Sequence, residues 1–75
     1  MKEEEVVEAV TALLSDMGMA EVRFHVEQQF PSQVYEIQVI GSLNPREKEE
    51  MEAVCKIVGR RIRSRVAFTE GHLPI

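Results

Sequence analysis

The chain reads as a small α+β domain, a two-layer sandwich in the order helix–strand–strand–helix–strand, with two helices on one face of a three-stranded sheet. Three observations predict this. Two segments carry apolar residues at helical spacing, three carry them in alternation, and the breaks between segments fall at Gly, Pro and Asn. The 75 residues suffice for a single domain, because a second core would need roughly 50 residues of its own.

The first helix is expected over residues 3–17, where Val6, Val10, Leu13, Leu14 and Met17 share one face. Glu3, Glu4 and Glu5 occupy its first turn, where carboxylates favour the positive end of the helix dipole. Gly18 suits the left-handed position that closes it. Over 21–29 the period changes: Val22, Phe24 and Val26 alternate with Arg23, His25 and Glu27, the pattern of a half-buried strand. Phe30-Pro31-Ser32 breaks the run as a turn, and a second strand over 33–40 presents Tyr35, Ile37 and Val39 on one face. The two runs read as an antiparallel hairpin.

After the connector Gly41-Ser42-Leu43 comes the strongest start signal in the chain: Asn44 to cap, Pro45 in the first helical position, and Glu47 three residues after the cap. Met51, Val54, Cys55, Val58 and Ile62 then form the stripe of a second helix over 45–62. Gly59 inside it suggests close packing or an early end. Residues 64–70 return to alternation with Val66 and Phe68, and 71–75 read as a tail. A crossover through the second helix makes the last strand parallel to the second, without fixing its neighbour.

Charge is segregated along the chain. Residues 1–52 carry twelve carboxylates against Lys2, Arg23, Arg46 and Lys48, a net of −8. Residues 53–75 carry Lys56, Arg60, Arg61, Arg63 and Arg65 against Glu70, a net of +4. With one cysteine the chain cannot build an internal disulfide, and no apolar run approaches the roughly 18 residues of a membrane span. The start is acidic where a signal peptide is basic, so a cytoplasmic setting is expected.

No catalytic constellation assembles in the sequence, and an enzyme is not expected. Cys55 lies mid-stripe and should face the core as a small hydrophobe, while a reactive thiolate needs an accessible electropositive site and a base. No glycine-rich phosphate loop or nucleophile-elbow serine occurs. His25 belongs to the outward face of the first strand and His72 to the tail, without the ligand spacing of a zinc site, so no metal or other cofactor is expected. Glu27 and Glu36 are the carboxylates that would have to join His25 in any metal-responsive role.

The run Gly59-Arg60-Arg61-Ile62-Arg63-Ser64-Arg65 has two readings. Basic residues in the last turns of a helix complement its dipole, as Glu47, Glu49 and Glu50 do at its start, and Glu52–Lys56 is a favourable i,i+4 pair. Arginine clusters also hold phosphates, and Lys56, Arg60 and Arg63 share the outward face of the helix. On the uncovered sheet face the aliphatics Val34 and Ile40, together with Phe30 at the hairpin tip, suggest a contact surface.

The element order resembles the N-terminal domain of bacterial ribosome maturation factors and the cytosolic domain of cation diffusion transporters, a resemblance that implies ribosome contact in the first case and dimerisation with metal binding in the second. Val58-Gly59 before Arg60-Arg61 is similar to part of the loop of K-homology RNA-binding domains, although Ile62 stands where that loop has its second glycine. Shared topology does not carry function with it. The residues favour a non-catalytic interaction or regulatory module that self-associates as a homodimer or takes a protein partner, with Val34, Ile40 and Phe30 at the interface. The alternative is a ribosome- or nucleic-acid-binding domain using Lys56, Arg60, Arg61, Arg63 and Arg65, and a metal-responsive domain is third.

Overall fold

The structure, a computed structural model, describes residues 2–29 and 34–74. Its elements follow the expected order: α1 (Lys2–Asp16), β1 (Phe24–Gln29), β2 (Val34–Ile40), α2 (Pro45–Ile62) and β3 (Arg65–His72). The sheet order is β1-β2-β3, with β1 antiparallel and β3 parallel to the central β2. Both helices pack on one face, α1 against β1 and α2 against β3.

The ends of the helices are set by local chemistry. At the close of α1, Gly18 adopts φ +74°, its N–H donates to Ser15 O at 3.1 Å and the Met19 N–H donates to Leu14 O at 2.7 Å. This six-to-one bond over a left-handed glycine satisfies carbonyls that the helix leaves unpaired. It also folds Met19 back into the core, where it is buried. At the start of α2, Asn44 Oδ1 accepts from the Glu47 N–H at 2.8 Å, and the Asn44 N–H donates to Glu47 Oε1 at 2.9 Å. Each residue thus satisfies a donor of the other, a capping box with Pro45 in the first helical position.

The core forms where the helical stripes meet β2. Val6, Val10 and Leu14 of α1, Tyr35, Ile37 and Val39 of β2, and Met51, Val54, Cys55, Val58 and Ile62 of α2 are all buried. Val22, Phe24, Val26, Val66 and Phe68, the apolar residues of the alternating runs, are only partly buried against this core, as are Leu13 and Met17 of the first helical stripe. The strand residues among these lie on or beside strands with one neighbour each, so part of each side chain stays open at the sheet's side. Ala9, Met19 and Leu43 are core residues that the apolar stripes did not indicate.

β3 departs from expectation at its end. It continues through Gly71 and His72, two residues expected in the tail. Gly71 and Gly41 both take positive φ, and the Gly71 N–H donates to Gly41 O at 2.7 Å while the Gly41 N–H donates to His72 O at 3.0 Å. The register shifts here, so that Ile40 faces His72 while Gln38 faces Thr69. The extra residue carries His72 to the outer face of the sheet, where its Nε2 lies 2.6 Å from Thr69 Oγ1.

Candidate functional site

A cleft of about 540 Å³ opens between the C-terminal half of α2 and the free side of β3, lined by Lys56, Gly59, Arg60, Arg63, Ser64 and Arg65. It exists because the chain reverses sharply where α2 ends. Arg63 takes the left-handed conformation (φ 56°, ψ 45°) and its N–H donates to Gly59 O, while the Ser64 N–H reaches the same carbonyl at 3.1 Å. The returning Ser64 carbonyl passes 2.9 Å from where a Cβ on residue 59 would stand. A glycine is therefore required, and the turn it permits sets Arg65 of β3 beside Arg60 and Arg63.

Four of the five basic residues singled out in the sequence thus share one cleft, and Arg61 lies outside its lining. Among the described residues the cleft lining contains no carboxylate. Among the described residues the ion pair is Lys48–Glu70, at 3.3 Å, and none of the four cations lies within ion-pair distance of an acid there. The expected Glu52–Lys56 pair does not close to ion-pair distance. Ser64 Oγ is buried at the cleft with no hydrogen-bond partner among the described residues. Cationic side chains with free donors on a shallow, open surface are an arrangement that can meet phosphate oxygens.

Cys55 lies at the floor of the cleft and is 7% exposed. Burial, reinforced by the nearby Glu52 carboxylate, pushes its thiol up to about 11. At neutral pH it is a protonated core thiol without nucleophilic character. From the cleft a narrower groove of about 340 Å³ continues along β3, floored by Cys55, Val66 and Phe68 and flanked by Glu52 and Lys56.

The outer sheet face holds the other residues singled out. Val34 and Ile40 are half-buried at opposite ends of β2, with Glu36 and Gln38 between them. The middle of this face is polar: Gln38 Nε2 donates to Glu36 Oε1 at 2.7 Å and to Glu27 Oε2 at 3.0 Å. His25 is exposed opposite Gln38. His72 shares the outer face with it, yet among the described residues no three His, Cys, Asp or Glu side chains gather as metal ligands. Phe30, expected at an interface, lies outside the described residues.

Sequence spacing missed two features of the site. The proximity of Arg65 to Arg60 and Arg63 depends on the left-handed turn at Arg63, a non-glycine position that gives no local signal. The positioning of β3 by Glu70, which accepts from the Leu43 N–H at 3.1 Å and pairs with Lys48, joins residues far apart in sequence. No protein-family model, curated protein or solved structure matches the chain. No helix among the described residues is long and apolar enough to cross a membrane.

Proposed function

We propose that this domain is a non-catalytic binding module whose α2–β3 cleft takes the phosphate backbone of a nucleic acid. The observation that carries this reading is the convergence of Lys56, Arg60, Arg63 and Arg65 on one cleft with no carboxylate among the described residues of its lining. If helix-dipole compensation were their only task, the arginines of α2 would suffice, and Arg65, at the start of β3, would contribute nothing. The acidic remainder of the chain repels a polyanion and so restricts its approach to this side. A cytoplasmic setting suits both the ligand and the single free thiol.

The test is fluorescence anisotropy with generic single-stranded and duplex RNA over a range of salt. Each phosphate contact adds roughly −0.7 to −0.9 to the slope of log K against log salt. The expected result is a slope of about −3 whose magnitude falls by about 1.5 in Arg60→Ala/Arg63→Ala. Absence of binding at low salt, or binding that ignores the double substitution, overturns the reading.

A self-associating module is the second reading, supported by a sheet whose outer face no helix covers and whose two edge strands lack a partner on one side among the described residues. Unpaired edges of this kind invite strand addition.

A further inference from the structure

We propose that β1 is a self-pairing edge: two copies of the chain join β1 to β1, antiparallel, about a two-fold axis at Val26, and the sheet runs on across the dimer. This rests on the self-association reading and is independent of the basic cleft.

The hydrogen bond from the Ile40 N–H to Arg23 O, at 2.9 Å, fixes which β1 groups are available. In an antiparallel ladder alternate residues exchange both bonds with the neighbouring strand. Arg23 and Ile40 are such a pair, and by alternation so are the opposed pairs His25–Gln38 and Glu27–Glu36. The N–H and C=O groups of Phe24, Val26 and Gln28 therefore point away from β2, to the open edge.

Full antiparallel overlap of these groups sets Phe24 against the partner's Gln28 and Val26 against the partner's Val26. On the outer face the same register sets His25 against the partner's Glu27, and symmetry repeats the contact. Sliding to either neighbouring register shortens the overlap and opposes His25 or Glu27 to its own copy. Backbone overlap thus selects the first alignment, and the like-charge Glu27 contact disfavours one of the two alternatives.

Glu27 needs such a neighbour. It faces Glu36 across the ladder, both carboxylates share the Gln38 amide, and neither has an ion pair among the described residues. Beside the edge, a groove of about 500 Å³ runs between α1 and β1, where the apolar Val7, Val22, Phe24 and Val26 are rimmed by Glu3, Thr11, Arg23 and His25. Val7 there is 39% exposed, and a partner strand would cover this apolar surface. The β3 edge is unsuited to the same role, because the basic cleft opens along it and a strand added there would cover Lys56, Arg60, Arg63 and Arg65. Joining at β1 leaves both clefts at the outer ends of the assembly.

Analytical ultracentrifugation at micromolar concentration tests the proposal on the intact chain. The native protein should sediment as a dimer. His25→Glu should weaken association by about tenfold or more, since the two-fold applies the like-charge contact twice. Adding Glu27→Lys to His25→Glu should restore it. Gln28→Pro should give a folded monomer, because its N–H points to the open edge, where proline is tolerated; circular dichroism checks the fold. A dimer indifferent to His25→Glu, or one that persists in Gln28→Pro, overturns the β1 edge while leaving self-association standing. A native monomer overturns both.

Discussion

Cys55 shows how one side chain can sit beside a cluster of positive charge and stay inert. Lys56 and the arginines line the same cleft, yet burial and Glu52 dominate and hold its thiol at about 11. Native protein should therefore resist a thiol reagent at neutral pH and react at one equivalent once unfolded, which a timed chromogenic disulfide assay reads directly. Because the folded value lies above the ordinary 9.0, the folded state favours the protonated thiol. That contribution to stability is complete below pH 9 and is lost as pH rises toward about 11. Denaturant melts of wild type and Cys55→Ala across that window should converge as the advantage disappears.

At the scale of elements, the end of α2 and the start of β3 are one unit. Gly59 would ordinarily cost a helix about 1 kcal/mol relative to alanine, and here that cost is offset by what it allows. With the Ser64 carbonyl 2.9 Å from an added Cβ, Gly59→Ala must push backbone aside. Overpacking of this kind costs about 1–3 kcal/mol, so despite the better helix propensity the substitution should destabilise the fold by about 1 kcal/mol net, measured by urea unfolding. It should also weaken RNA binding, because the same displacement moves Arg65 away from Arg60 and Arg63. The other end of α2 depends on its own residues: the Asn44–Glu47 capping box closes it within one turn, and removing such a cap costs about 1 kcal/mol.

Across the whole molecule, Glu70 links three elements: it lies on β3, accepts from the Leu43 N–H in the β2–α2 connector and pairs with Lys48 of α2. The Leu43 N–H, with Lys48 second, holds its carboxyl below the ordinary value. A lowered carboxyl contributes stability above its ordinary range and loses it as pH falls through the folded value. Glu70→Gln should therefore lower the thermal midpoint at neutral pH and flatten its fall under acid, as followed by calorimetry between neutral pH and pH ~3. Element identity was legible in the sequence because it rests on local period and punctuation: the stripes of α1 and α2, the alternation of β1 and β2, Gly18 and Asn44 each act within a few residues. The membership of Lys56, Arg60 and Arg63 in one basic surface was legible for the same reason, helical spacing. The sequence by itself determined two helices and three strands in order, a buried Cys55, and a basic chain end after an acidic body. Tertiary structure alone decided that β3 lies beside β2, which makes β1 and β3 edges and leaves their inward residues half-covered. It alone brought Arg65 into the cleft, turned His72 to the outer face and placed β1 at the edge of the sheet. Those outcomes depend on contacts between residues distant in sequence and on a left-handed turn at Arg63, where the side chain gives no warning of the backbone it will adopt.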